Sequence, residues 1–551
     1  MDIFPTKAQF LRGEEVFLQI ETGETACSQI TVEVTRLEKT VVRKELRDIC
    51  GTAVISLGSL DTPFSGYGVD AVAFTAEGAQ NFSTAFDVAE DPRRSLRYGF
   101  LSDFTSRDQN NGAIDWLTKC HINMLQFYDW SYRHDDLVAR EDLYRDMMGK
   151  NIAKTTVLGK IREGHARGMH AVGYGAIYAA SKPFYEAHKE WAFYNSHQDP
   201  FVFIDVFYIM NIQKGSPWCD HIIGQYGKAM EEMGFDGIHM DTYGFPKTAY
   251  SHLGAAPERV RLDEAIPALI DTTRKKLNEQ GKDPLLVFNN VGNWPTYSTA
   301  NASHDAVYIE VWSPYEKYAH IAQLIGEARR LSAGSKPIIL AAYLKPFREV
   351  PCHEAMASAK LLTAAIVSHG AYHLLLGENR AVLTQGYYSD YSKLDGSCAE
   401  QIRKYYDFMI RYLELFYDPE MRDVSMTHTG WDNYEYRCLS HETSSYGQAG
   451  KLWTILREKE NRKSISILNL CGCTNDDWNE VKEQPIPQKN VRFRVQVDTD
   501  ARGVFAASPE NPCAEELPFT VMTDDKGCFV EFEVPEVSVW TTVWIDFREG
   551  A

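Results

Sequence analysis

At 551 residues the chain is too long for one ordinary domain, so roughly two to four units are expected. Its 76 acidic against 57 basic residues, a net of −19, disfavour a nucleic-acid partner or an anionic membrane surface. No apolar run is long enough to span a bilayer.

Residues 1–92 read as an immunoglobulin-like β-sandwich. Ile30, Val32 and Val34 alternate with Thr31, Glu33 and Thr35, the period of a half-buried strand, and turn-forming clusters such as Gly58 to Gly66 punctuate the segment. The charged run Glu90-Asp91-Pro92-Arg93-Arg94 reads as a linker.

Over residues 93–420 eight short apolar strands alternate with helical segments. They are 97–104, 123–130, 170–178, 235–241, 285–290, 306–312, 336–343 and 371–378. Ile222, Tyr226, Met230 and Met233, just before the fourth, follow helical spacing. Eight βα units of this size predict a (β/α)8 TIM barrel. A doubly wound sheet would be shorter and would carry a glycine-rich phosphate loop after its first strand. Residues 201–208, in the longest gap, predict an inserted hairpin over the barrel mouth. A helix over about 402–416 follows, with Ile402, Tyr405, Met409 and Tyr412 on one face.

Residues 421–551 predict a second, antiparallel β-sandwich. Val491, Phe493, Val495 and Val497 alternate with polar residues, as do Val530, Phe532 and Val534 after the turn at Asp524 to Gly527. The eleven cysteines show no zinc-ligand spacing, and their odd number points to reduced thiols. With no charged-then-apolar leader, this predicts a cytoplasmic protein, or a secreted one if a leader has been trimmed.

In such a barrel, chemistry sits at the C-terminal strand ends. Those ends offer Asp103, Tyr128, Asp129, Trp130, Tyr174, His239, Asp241, Asn289, Glu310, Trp312 and Glu378. A lone strand-end Asp is commonly a cap or turn former. Asp241 and Glu310 stand out because they end separate strands and are flanked by Tyr243 and Trp312. Two carboxylates on one face suit glycoside hydrolysis, and the rings and amides around them suit a sugar. Asp236 alternates with the inward residues and is expected outside the site. His239 and Asp241 form an HxD pair, but the further histidines of a metal-dependent hydrolase are not at the other strand ends. No metal or other cofactor is expected.

Five segments carry a family resemblance: Arg97-Tyr-Gly-Phe-Leu-Ser-Asp-Phe104, Asn123-Met-Leu-Gln-Phe-Tyr-Asp-Trp130, Gly234-Phe-Asp-Gly with Asp241-Thr242, Tyr308-Ile-Glu-Val-Trp312 and His373-Leu-Leu-Leu-Gly-Glu-Asn379. Together they resemble glycoside hydrolase family 66, the dextranases and cycloisomaltooligosaccharide glucanotransferases. The resemblance implies a retaining, endo-acting enzyme on α-1,6-glucan, with Asp241 as nucleophile and Glu310 as acid/base. It leaves Asp103, Tyr128, Asp129, Trp130, Tyr174, His239, Asn289, Trp312 and Glu378 as candidate substrate-binding residues. No gap between strands is long enough for the carbohydrate-binding module that the glucanotransferases insert, which favours hydrolysis over cyclisation. A cycliser on the same site and a non-catalytic glucan-binding protein are the alternatives. An α-glucan is the expected partner, and a monomer the expected state.

Overall fold

The computed structural model describes residues 1–109, 112–498 and 500–547. At its centre eight parallel strands pair in chain order: Tyr98–Leu101, Met124–Phe127, His170–Ala176, Gly237–Asp241, Leu285–Val291, Ala306–Glu310, Ile338–Ala341 and a split eighth. The eighth pairs with the seventh through Tyr372–His373 and with the first through Gly377 and Phe100, so the sheet closes into a ring. One main helix follows each strand: Gly112–Lys119, Lys154–Ala166, Pro217–Met233, Leu262–Glu279, Thr296–Thr299, Tyr318–Leu331, Cys352–Ser368 and Gly396–Arg411. Covered on both faces, the ring strands are apolar along nearly their whole length, as buried parallel strands must be.

The segment into the fourth strand shows how local chemistry sets these boundaries. Ser216 caps the helix Pro217–Met233, its hydroxyl accepting from the Cys219 N–H, and Pro217 needs no amide partner at the first position. Gly234 ends the helix at φ 81°, a left-handed turn that glycine adopts without penalty. At Gly237 a Cβ would lie 1.8 Å from the Leu285 carbonyl oxygen, so only glycine lets the fourth and fifth strands meet there.

The inserted hairpin is present. Val202–Phe203 pairs with Phe207–Ile209 across a turn whose central residues, Ile204 and Asp205, have φ of 45° and 58°. Two left-handed residues make the turn that matches strand twist, although Ile is an unfavourable occupant.

The N-terminal unit differs from the expected two-sheet sandwich. Hydrogen bonding joins all six of its strands into one sheet. Glu15–Arg36 runs 22 residues and pairs with three neighbours; bulges between Glu21 and Cys27 bend it, so Val16, Leu18 and Ile20 share a core with Ile30, Val32 and Val34. The C-terminal unit has two sheets, of seven and four strands, with Leu456, Ile465, Val495 and Phe532 in the core between them.

Buried polar links join the units. Arg97 is 1% exposed and pairs with Asp87 at 2.9 Å, while also donating to the Ala8 carbonyl. Arg411, at the end of the last ring helix, holds Asp70 of the N-terminal sheet at 2.6 Å. The expectation of reduced thiols throughout is corrected at one place: Cys352 and Cys398 form a disulfide between the last two ring helices, while the other nine cysteines are free. The two lie 46 residues apart, a proximity that only the packing of those helices creates. Among the described residues no helix is long and apolar enough to cross a membrane.

Candidate active site

Successive ring strands deliver the site's polar groups to one end. Tyr174 comes from the third, Asp241 ends the fourth, Asn289 lies on the fifth, Glu310 ends the sixth, and Tyr343 follows the seventh. Tyr174, Asp241 and Glu310 line a cavity of about 640 Å3, with Asn289 and Tyr343 behind the acids. Tyr128, Asp129, His134, Tyr174, Tyr243, Trp312 and Tyr387 wall it, and Phe203, Ile204 and Phe207 of the hairpin overhang it.

The two acids are tied through one amide. Nδ2 of Asn289 donates to Oδ1 of Asp241 at 2.8 Å and to Oε2 of Glu310 at 3.1 Å. Those oxygens can therefore be no further apart than the sum of the two distances. Tyr174 donates to the other oxygen of Asp241 at 2.7 Å, and Tyr343 to Oε1 of Glu310 at 2.8 Å. Behind Tyr343 the hydroxyls of Tyr388 and Tyr308 continue the chain at 3.1 and 2.7 Å. The loop after the eighth strand comes close because residue 386 is glycine; a Cβ there would be 3.2 Å from Oε1 of Glu310 and 3.3 Å from the Trp312 ring.

Burial and the nearby Glu310 charge push the Asp241 carboxyl up to about 7, against the donors Tyr174, Asn289 and the Thr242 amide. Glu310 is also raised by burial, with Asn289, Tyr343 and Trp312 opposing. Two like acids joined in this way hold one proton between them over an intermediate pH range. Such a pair can present a carboxylate and a carboxylic acid to the same bound molecule.

Of the residues expected from strand ends, Tyr128, Asp129, Tyr174, Asp241, Glu310 and Trp312 line the cavity. Asn289 binds both acids from below. Trp312 is 43% exposed, a flat apolar face beside Glu310. Asp129 has φ of 51°, and its carboxyl accepts no hydrogen bond among the described residues; burial, with Asp146 and Asp241 nearby, lifts it to about 7 despite Lys150.

Four expected residues are placed elsewhere. Trp130 is fully buried against Phe235, with its indole N–H on the Tyr174 carbonyl, because its strand already ends at Phe127. His239 points into the ring interior, where it meets the Tyr98 hydroxyl at 2.7 Å, and burial drives its imidazole down to about 3. Glu378 is fully buried, accepting from the Ser102 and Asp103 amides and paired with Lys160. Asp103 accepts from Tyr391 at 2.6 Å beside that pair, outside the cavity walls. As expected, Asp236 lies outside the site, accepting from His165 and the Ala171 amide.

The strand-end list did not include His134, Tyr243, Tyr387 or Tyr388. His134 is buried and held down to about 4 by burial, so it is a neutral imidazole whose Nδ1 has no partner among the described residues. The aromatic run Tyr387-Tyr388 after the last strand was the available signal for that loop.

A model of glycosyl hydrolase family 66 matches residues 5–544. Relatives include a cycloisomaltooligosaccharide glucanotransferase of Niallia circulans, 23% identical over 98% of this chain and 71% of its own length. A dextranase of Streptococcus salivarius is 22% identical over 60% of this chain and 46% of its own. A crystal structure of a Paenibacillus sp. cycloisomaltooligosaccharide glucanotransferase complexed with cycloisomaltoheptaose matches with a TM-score of 0.89 over 99% of each chain, at 20% identity. A maltogenic α-amylase, AmyB of Thermotoga neapolitana, matches at 0.53 over 83% of this chain and 99% of that one, with 10% identity. The chain is therefore one of the glycosyl hydrolases. It belongs to family 66 of that class, over nearly its whole length.

Proposed function

We propose that this protein is a retaining endo-hydrolase of α-1,6-glucosidic linkages in dextran or isomaltooligosaccharides, with Asp241 as nucleophile and Glu310 as acid/base. Its catalytic unit is read as a (β/α)8 TIM barrel over residues 93–420, between an N-terminal β unit, 1–92, and a C-terminal β-sandwich, 421–551. The observation that carries the mechanism is the Asn289 amide spanning Asp241 and Glu310. It keeps the facing oxygens closer than the ~6.5–9.5 Å that an inverting pair needs to seat a water, and suits the ~5–5.5 Å of a retaining pair.

In the first step the Asp241 carboxylate attacks the anomeric carbon while the Glu310 proton passes to the leaving glycosidic oxygen. The C–O bond to the departing sugar breaks and a glycosyl ester on Asp241 forms. Glu310, now ionised, takes a proton from water as the water oxygen attacks the same carbon, which frees Asp241 and restores the acid. The linkage is taken from two kinds of relative, one named for cycloisomaltooligosaccharides and the other for dextran.

A second reading has a sugar hydroxyl in place of that water, giving transglycosylation or cyclisation. It is favoured by the relatives that cover 98% of this chain, which are glucanotransferases. Against it, the longest stretch between ring strands, from Ala176 to Gly237, holds the hairpin, short helices and the ring helix Pro217–Met233, and among its described residues no separate module. Reducing-end release over a panel of α-glucans, with mass spectrometry for cyclic products, tests both. Linear products from α-1,6-glucans, absent with Asp241→Asn, are expected; equal release by wild type and variant would contradict the assignment.

A further inference from the structure

At the opposite, N-terminal end of the ring lies a second cavity, of about 300 Å3, where the three units meet. Four basic residues line it. Arg94 comes from the linker after the first sheet, Arg329 from the helix after the sixth strand, Lys336 from the approach to the seventh, and Arg457 from the C-terminal strand Leu452–Lys459. We propose that this cavity is a binding site for a small oxyanion, a phosphoryl or sulfuryl group, held between Arg94, Arg329, Lys336 and Arg457.

The partners of these four side chains are neutral. Arg94 stacks on the Phe64 ring at 4.8 Å. Arg329 donates to the His369 and Gly370 carbonyls, and Lys336 to those of Ala300 and Ala302. Arg457 donates to the carbonyls of Leu415, Phe416 and Met421, and its Nε has no acceptor among the described residues. Arg329 and Arg457 close on Gly370: the point where its Cβ would sit is 2.6 Å from Nη2 of the first and 3.2 Å from Nη1 of the second. Arg457 is only 4% exposed.

Two guanidinium groups so close, one of them buried, repel each other and lose hydration, which is unfavourable without a counter-charge. Burial and Arg329 draw Arg457 down to about 9, and burial takes Lys336 to about 8 and lowers Arg329. Carbonyls at helix C-termini offset part of this charge. The nearby acids offset little more. Asp418 is engaged by Lys459 at 2.7 Å, and Asp423 faces Arg457 across a strand pair without forming an ion pair. In a chain with 19 more acids than bases, the wall of this cavity carries four basic residues and one acid, Asp418, whose carboxylate is engaged by Lys459. An oxyanion in the cavity supplies a counter-charge to these groups. The cavity exceeds the size of one phosphate, so either the free ion or the phosphate of a small phosphorylated metabolite fits.

This inference is independent of the glucan reading, and its test uses no glucan. Calorimetric titration with inorganic phosphate, and separately with glucose 6-phosphate, would be run at fixed ionic strength in chloride. One saturable site per chain is expected, weakened about tenfold or more in both Arg94→Gln and Arg329→Gln. A preference for the sugar phosphate would mark a metabolite as the ligand, and parity the free ion. No saturable binding of either anion to the folded wild type would overturn the proposal. So would unchanged affinity in the variants. If circular dichroism shows Arg329→Gln unfolded, Arg94→Gln decides alone, since Arg94 is exposed and makes only a ring contact.

Discussion

Tyr174 and Tyr343 each hand one hydroxyl to one of the paired acids, which gives the two phenols separable effects. Tyr174 stabilises ionised Asp241, so Tyr174→Phe raises the pKa of the proposed nucleophile and moves the acid limb of kcat/KM to higher pH. Tyr343 stabilises ionised Glu310, which must start protonated in the proposed mechanism. Tyr343→Phe therefore moves the alkaline limb to higher pH. The first variant narrows the profile and the second widens it, each by about one pH unit for a hydrogen bond to a charge. Limbs that stay put in both variants would remove these roles. The acids themselves were legible in the sequence because each ends an apolar strand. Trp130 and Glu378 depart from the strand-end pattern for a related reason. A strand-end position does not say which way the next side chain turns once the backbone has left the ladder, and Asp129, at φ 51°, turns Trp130 behind the site.

The ring strands were legible as elements because burial on both faces leaves little but apolar residues between glycine-marked ends. The hairpin over the mouth was also readable as Phe-Val-Phe-Ile-Asp-Val-Phe-Tyr. Its strain was not, since a φ of 45° at a β-branched residue follows from the turn it closes. Ile204 is 51% exposed and overhangs the cavity, so it gains little from burial to offset that conformation. Ile204→Gly is expected to leave thermal stability unchanged or raised by about 1 kcal/mol while increasing KM for long glucans. Lower stability with unchanged KM would make the hairpin tip a structural turn only. The N-terminal sheet was harder to read, because a period-2 pattern reports which residues face inward but not that bulges bend one long strand past three partners.

At the scale of the molecule, the units are joined by charges rather than by apolar surface alone. The Arg97–Asp87 pair is buried on both sides, and Arg97 also holds Ser95 and the Ala8 carbonyl. Removing one partner leaves a buried charge, so Asp87→Asn is expected to cost about 3–5 kcal/mol in urea unfolding, against near zero for the exposed pair Arg47–Glu45. No periodicity announces such pairs, since each joins residues whose neighbours are chosen by the fold. The same holds for the disulfide and for the basic cavity between the units. The proposed retaining mechanism turns on how closely Asn289 holds Asp241 and Glu310, because that closeness sets the stereochemistry. Proton NMR of an isomaltooligosaccharide digest in its first minutes, before mutarotation, reads it directly. With retention, the new reducing ends appear first as the α-anomer. Initial release of the β-anomer would contradict it.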